Sequence, residues 1–387
     1  MNKIAIIGVG SAGIQALCHY CAWLDDWEIT SIHQPNIPIV GIGESTNPPF
    51  LDSIMKGLLF DHNKDLEQLD ATIKLGTKYV NWREHEFNNP FIGGNLAIHM
   101  NTFKLKEFAF ARLKDMWGDK FSVIEGNVDS LHNTDNKAVV VVDGKPVEFD
   151  YVMDCRGFPK DYTNYTVFEN APLNRGLVHN GPVVKDLIYT LHEATPDGWM
   201  FGVPLSNRMS YGYMFNDNIT DIDTARENFS KQIGVTALDN TEYKFKYFYS
   251  NNILDGRIIK NGNSAFFYEP MFANSLFVYD RINRYFYEYM FGTKSDVMVD
   301  YDFNRIANEI HEIICLHYSG GSTFDTPFWT HAKQYGRNVL DKSINYFIFR
   351  DVISQFEKNK SWIRYENYRW AGFSLQNLLS IQTNMGL

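Results

Sequence analysis

Two short stretches hold residues whose types and spacing could do chemistry. In KIAIIGVGSAG a brief apolar run, Ile4 to Ile7, gives way to Gly8, Gly10 and Gly13. This is the G-x-G-x-x-G spacing, set between a β-branched strand pattern and the helix-like IQALCHYCAWL, which is the context the motif needs. Glycines there let the chain turn sharply and bring backbone N–H groups and a helix N-terminus against a pyrophosphate, so Ser11 and Ala12 are read with them as one dinucleotide cradle. The plain alternative is a tight βα turn that holds no ligand. The second stretch, ATIKLGTKYVNWR, sets Lys74 and Lys78 four apart ahead of Trp82 and Arg83. Read as a helix, it puts both lysines on one face, where such residues are usually solvated charges.

Other elements have to position these groups. The strand WEITSI should carry an acidic residue to the adenosine ribose roughly 20 residues beyond the last glycine. It ends instead at His33 and Gln34, so a neutral hydrogen bond to the ribose or a reduced cofactor affinity is expected. GWMFGVPL and MSYGYMF read as neighbouring strands. LFVYDRINRYFYEYMFGT, YDFNRIANEIHEIICLHY and SINYFIFRDVISQFEK show the apolar spacing of helices, and another helix is expected to start near Ile98.

Composition narrows the functional class. The 387 residues suffice for one large α/β unit with an added layer, or for two packed domains. Acidic residues outnumber basic ones by 46 to 36, with no dense Lys/Arg run, which argues against nucleic acid as a partner. No basic, apolar leader opens the chain and no apolar run reaches the roughly 18 residues of a membrane span, so the reading is cytoplasmic with no membrane partner. Four scattered cysteines do not make a disulfide framework. Cys18 and Cys21 fall inside the first helix without a second Cys/His pair, so no metal site is assigned. The 29 Phe, 22 Tyr and 8 Trp are unusually plentiful; much of that is core, but a pocket for a flat ligand draws on the same residues.

Several of these segments together resemble the flavin-dependent halogenases of the tryptophan-halogenase family. VGIGESTNPP (residues 40–49) is similar to the family's strap over the flavin. KLGTKYVNWR matches the family's lysine ahead of an aromatic-V-N-W-R stretch, with Lys74 in that lysine's place and Lys78 at a second, non-catalytic position. The W-x-W-x-I-P signature appears in altered form at Trp199, Phe201, Val203 and Pro204. DCRG, FFYEPMFANS and HYSGGSTFDTPFW extend the resemblance over about residues 3 to 330.

The resemblance implies a fold and a set of roles. The fold class is α/β, an FAD-dependent monooxygenase-like Rossmann variant (GR2-type) with a mixed-sheet substrate layer and a helical C-terminal cap. The expected bounds are 1–160 and 255–285 for a discontinuous FAD-binding module, 161–254 for the strand-rich layer and 286–387 for the cap. Glu44, Ser45, Asn127, Asp154, Gly157 and Leu276 are implied to join the glycines and His33 at FAD, used as FADH2. Asn274 and Ser275 are implied at a halide ion, largely through backbone N–H groups, and Lys74 as the residue that positions or carries electrophilic halogen. Trp199, Phe201, Pro204 and Phe272 are implied along the passage to a small aromatic substrate.

No second glycine motif for a nicotinamide cofactor is evident, so a separate flavin reductase is an expected partner. The oligomeric state is open, a homo-oligomer being allowed. Two departures bear on the substrate. The family's long insertion after N-W-R shrinks to EHEFNNPFIGGN, and Phe272 stands where tryptophan halogenases have a glutamate. Free tryptophan is therefore not the expected substrate. A flavin-dependent aromatic monooxygenase and a non-catalytic flavin-binding homologue are the alternatives.

Overall fold

The computed structural model describes residues 1–37, 44–239, 241–359 and 367–386. Within them the chain divides into two compact units, one of 1–72, 97–167 and 248–305, the other of 73–96, 168–247 and 306–387. Thus 73–96, 168–247 and 306–387 belong to a single unit.

The first unit is organised by a six-stranded sheet. Its order is Leu254–Asp255, Ile258–Lys260, Tyr151–Asp154, β1 (Asn2–Ile7), β2 (Trp27–His33) and Phe121–Glu125, all parallel except the first pair. A parallel sheet is covered on both faces, so its strands can be apolar throughout. Ile4 to Ile7 are accordingly all buried, with Ile4 level with Ile29 on one side and Tyr151 on the other. Helix α1 (Ser11–Trp23) joins β1 to β2. It packs closely on α2 (Pro48–Leu58), where a Cβ on Gly57 would meet the Cys18 backbone at 2.5 Å. Asn47 caps α2 by accepting from the N–H of Phe50, and a proline follows at the helix start. A three-stranded meander, Val128–Asn133, Ala138–Val142 and Lys145–Phe149, buries Ala138, Val140, Val142 and Phe149 against Ala5, Ile7, Ile32 and Val152.

The second unit is built on a seven-stranded mixed sheet in the order Thr241–Lys244, Arg175–Gly181, Met209–Phe215, Gly198–Pro204, Thr190–Thr195, Gly76–Val80 and Phe87–Pro90. Successive side chains alternate between its faces. One face packs Leu177, Met200, Tyr213 and Phe215 against Ala225 and Phe229 of the helix Ile222–Ile233. The other face carries the aromatic and basic side chains described below.

Two sequence expectations are corrected. Residues 71–83 are not a helix but two strands, Thr72–Lys74 and Gly76–Val80. The β-branched and aromatic residues Thr72, Ile73, Thr77, Tyr79 and Val80 favour strand. Gly76 breaks the run at φ 152°, where a Cβ would lie 2.3 Å from the Asn89 carbonyl oxygen. The helix expected near Ile98 begins at Thr102, after Asn101 accepts from the N–H of Phe103, and Ala97–His99 is a strand. The neighbouring strands Gly198–Pro204 and Met209–Phe215 and the helices Asn274–Met290, Asp296–Gly320 and Ile344–Asn359 match their sequence patterns. The four cysteines are free and buried, and among the described residues no helix is long and apolar enough to cross a membrane.

Candidate active site

In the first unit, β1 ends in a loop shaped by glycines. Gly8 takes φ 98° and a Cβ there would meet the Cys155 carbonyl oxygen at 2.8 Å, while a Cβ on Gly13 would lie 2.0 Å from the Gly8 oxygen. Gly10 differs: a Cβ on it would meet nothing within 4 Å, and it starts α1 without a side-chain cap. Uncapped first-turn N–H groups facing open space are what a pyrophosphate needs. Ser11, Ala12 and Gly13 form that first turn.

His33 closes β2 at 4% exposure, and neither ring nitrogen has a hydrogen-bond partner among the described residues. Burial and the Lys106 charge lower its pKa, while Glu125, 3.8 Å away, acts in the opposite sense. A buried neutral imidazole with spare donor and acceptor capacity fits a ribose hydroxyl. These features together could hold a dinucleotide.

The remaining expected flavin residues vary in how committed they already are. Glu44 is buried, Ser45 bridges to His99, and residues 40–43 of the strap lie outside the described residues. Asp154 ends its strand beside β1, with its carboxylate gripped by Arg156 at 2.8 and 2.9 Å. Gly157 is open, with nothing within 4 Å of a Cβ position. Asn127 is exposed and donates to Asp129 at 2.6 Å, so its side chain serves the turn of the meander. Leu276 is buried in the first turn of Asn274–Met290.

Just before that helix, Phe272 and Ala273 are consecutive left-handed residues at φ 62° and 53°. Each costs roughly 1–3 kcal/mol, and such strain collects at ligand-binding segments. Asn274 holds the bend by donating to the carbonyls of Glu269 and Met271 at 2.8 and 2.7 Å. Its amide nitrogen is therefore used internally. The helix has no side-chain cap, and Ser275 lies in its first turn.

In the second unit, Lys74 is 2% exposed. Its ammonium lies over the Phe91 ring at 5.4 Å, and the next residue, Leu75, donates to the Ile188 carbonyl at 2.8 Å. That bond sets Lys74 at the start of the pairing of Gly76–Val80 with Thr190–Thr195. Pairing then builds a row across one sheet face: Phe87, Tyr79, His192, Phe201 and Gly212 stand level on five adjacent strands. Tyr79 stacks on Phe87 at 4.7 Å and meets His192 edge-on at 5.5 Å. The Phe201 ring lies over Gly212, where a Cβ would be 2.1 Å from it.

Trp199, two residues from Phe201 and so on the same face, lies 4.8 Å from the His192 ring and donates to the Tyr318 hydroxyl at 3.1 Å. From the helix Asp296–Gly320, His317 stacks on Tyr79 at 6.1 Å. Its Nδ1–H donates to the Ile313 carbonyl at 2.8 Å, which fixes the tautomer. Pro204 ends its strand level with Met209. Lys78 alternates to the opposite face, where it pairs with Glu86 at 2.9 Å.

Burial dictates the charges in this cluster. It brings the Lys74 amine down to about 7, so near neutral pH the side chain can offer either an N–H or a lone pair. It pushes the Tyr79 phenol up and His317 down to about 4. His192 is held well below the ordinary imidazole value by burial, then by the Lys74 charge and then by His317.

The tryptophan halogenase family model matches residues 3–123 and 120–378. The chain belongs to this family of flavin-dependent halogenases. Among its relatives, the tryptophan 6-halogenase ThaL of Streptomyces albogriseolus is 21% identical over 86% of this chain and 79% of its own length. In fold it is similar to the tryptophan 6-halogenase SttH of Streptomyces toxytricini, with a TM-score of 0.81 at 16% identity, covering 98% of this chain and 90% of that one. It is also similar to BrvH, a flavin-dependent halogenase of Brevundimonas sp. BAL3, with a TM-score of 0.78 at 18% identity, covering 100% and 90%.

The halogenase fold brings Lys74, Trp199 and Phe201 into one unit, and the glycines, His33, Asp154, Phe272, Asn274 and Leu276 into the other. Sequence reasoning missed Tyr79, His192, His317 and Tyr318. For the first two the signal was available, since a Tyr and a His stand at inward positions of their strands. Only the register shows that they meet.

Proposed function

We propose that this halogenase uses FADH2, oxygen and a halide ion to make hypohalous acid, and that Lys74 directs its halogen onto an electron-rich aromatic substrate. The observation that carries the reading is the burial of Lys74, its ammonium over the Phe91 ring at 5.4 Å and its pKa brought to about 7. A solvated lysine would have neither property. Bound reduced flavin would supply the electrons that let oxygen oxidise halide.

This chain's residues do the rest. The Gly8–Gly13 loop and the α1 N-terminus hold the pyrophosphate, and His33 hydrogen-bonds the ribose. The strained Phe272–Ser275 bend offers backbone N–H groups to the halide. Lys74 donates to the oxygen of the hypohalous acid, and Trp199 and Phe201 wall the route to the substrate.

The same reading bears on partner and substrate. With one glycine motif for a dinucleotide, a separate reductase supplies the FADH2. The short 84–95 segment and Phe272 leave no identified group to read the ammonium and carboxylate of free tryptophan. Selection then rests on the substrate's reactivity and fit, and phenols, anilines and indoles are the expected class. The test is a panel of such arenes and free tryptophan, each with chloride, bromide and iodide, supplied with reductase and read by mass spectrometry. Halogenated arenes with tryptophan a poor substrate support the proposal. Selective chlorination of tryptophan at one position contradicts the substrate reading, and absence of any halogenated product contradicts the activity.

A further inference from the structure

A cradle of this kind holds its dinucleotide at two places, by the pyrophosphate and by the adenosine ribose that an acidic side chain at the end of the second strand ordinarily grips. Here β2 ends in His33, so that strand brings no charged acceptor to the ribose. An acid stands one strand over. We infer that the carboxylate of Glu125 accepts the hydrogen bond of the 2′-hydroxyl of the FAD adenosine ribose, with His33 supporting it from β2. The inference deepens the flavin part of the proposed function and rests on the glycine loop being the cradle.

Register brings the two residues together. Trp27–His33 and Phe121–Glu125 run parallel, and Glu125 is level with His33. The Gly126 N–H donates to the His33 carbonyl at 3.0 Å, which ties the ends of the two strands. His33 Nε2 stands 3.8 Å from a carboxylate oxygen of Glu125. In open parallel sheets ligands bind outside the carboxyl ends of the strands, and both residues sit at that end.

Exposure divides their roles. His33 is buried, whereas the Glu125 side chain is 61% exposed. The carboxylate is therefore the group of the pair that an arriving ribose meets, and the imidazole is the wall behind it. Charge favours the same assignment. Burial and the Lys106 charge lower the His33 pKa, so at neutral pH the imidazole does not cancel the charge of the carboxylate. Lys106 lies over the Phe110 ring at 5.8 Å, and that ring meets His33 edge-on at 5.5 Å. Among the described residues Glu125 pairs with no lysine or arginine.

Neighbouring acids are committed elsewhere. Asp154, at the end of the strand on the other side of β1, is gripped by Arg156 at 2.8 and 2.9 Å. In the turn beyond Glu125, Asp143 accepts from the Asn127 N–H at 3.0 Å. Asp129 accepts from the Asn127 amide at 2.6 Å and the Gly144 N–H at 2.8 Å. Glu125 keeps its carboxylate oxygens for a ligand. A hydroxyl bound to a carboxylate makes a charge-assisted hydrogen bond, roughly twice as strong as a neutral one, so a single contact gives measurable selection for the 2′-hydroxyl.

The test compares binding of oxidised FAD and of its 2′-deoxyadenosine analogue by calorimetric titration. The proteins are the full-length wild type, Glu125→Gln, Glu125→Ala and, as a control, Asp129→Ala. The wild type should prefer FAD roughly 10-fold or more. Glu125→Ala should bring that preference close to unity by weakening FAD while the analogue binds as before. Glu125→Gln, which keeps an uncharged acceptor, should fall between, and Asp129→Ala should keep the full preference. A merely structural role would weaken both ligands alike and leave their ratio unchanged.

An undiminished preference in Glu125→Ala, or a wild type that binds the two ligands equally, would overturn the inference. Equal weakening of both by Glu125→Ala would also overturn it and would assign the carboxylate to another part of the nucleotide, such as the adenine amine. A wild type that binds neither ligand is a different result, because the cradle reading itself then fails and takes this inference with it.

Discussion

The glycine loop after β1 and the buried side chains of the second unit are built from different materials. Around Gly8, Gly10 and Gly13 the site consists of backbone and of space that side chains would fill. In the second unit it consists of side chains from several separate segments, with Lys74, Tyr79, His192 and His317 each buried and each with a shifted pKa. A backbone-built anion site works with no titratable group, so its occupancy should depend little on pH. A side-chain site made of neutralised bases is stable in one protonation state and strained in another, so its stability and activity should both follow pH.

Substitutions in each region should therefore have different signatures. The largest expected effect is at Gly13, where an added methyl would lie 2.0 Å from the Gly8 carbonyl oxygen, which cannot yield without moving β1 or α1. Gly13→Ala should lose flavin binding and about 3 kcal/mol or more of stability, checked by flavin titration and denaturant unfolding. Wild-type flavin affinity in this variant would show that the loop is not the cradle.

Next comes Lys74→Met, which should stabilise the fold while removing activity. Folded Lys74 has a pKa lowered to about 7 from an ordinary 10.5, so between those values the unfolded chain holds a proton that the folded chain lacks. Stability of the wild type therefore rises with pH across that window, and below it the buried charge is a full burden. Lys74→Met should be more stable by roughly 2–4 kcal/mol at pH 7, with the gain shrinking toward pH 10. Urea unfolding of both proteins across this range checks the sign. A gain that grows with pH would mean that Lys74 is stabilised as an ammonium.

Smaller effects follow. Ala273 sits at φ 53°, so Ala273→Gly should relieve strain and add about 1 kcal/mol of stability. If the bend is held open for an anion, the same change should raise the KM for bromide. Lys78→Ala removes a partly exposed pair with Glu86 on the other sheet face. It should change stability by less than about 1 kcal/mol and leave halogenation intact.

The contrast also accounts for what was legible in the sequence. Gly8, Gly10 and Gly13 act through spacing along the chain, and neighbouring residues alone fix their geometry, so the loop, β1, α1 and the end of β2 at His33 could be read directly. Lys74 was recognisable by resemblance, but its environment was not. The K-x-x-x-K spacing suggested a helix and made Lys78 its neighbour. The strand pairing sends Lys78 to the face opposite Tyr79 and sets His192, more than a hundred residues away, level with Tyr79, while His317 stacks on Tyr79 from a helix. Long-range register, set by the Leu75–Ile188 bond and the Gly76 turn, is not written in any local window. Phe272 was legible as a departure from the family pattern, but the left-handed backbone of Phe272 and Ala273 was not.

The role proposed for Lys74, to govern where the halogen goes, stands or falls with halogenation by Lys74→Met in the presence of a hypohalite scavenger. FADH2 is regenerated by a reductase, bromide is the halide, and an activated arene accepted by the wild type is the substrate. Arene bromination should fall at least ~100-fold while flavin binding and oxygen-dependent oxidation of the flavin continue near the wild-type rate. Bromination at the wild-type rate under the same scavenger would contradict it.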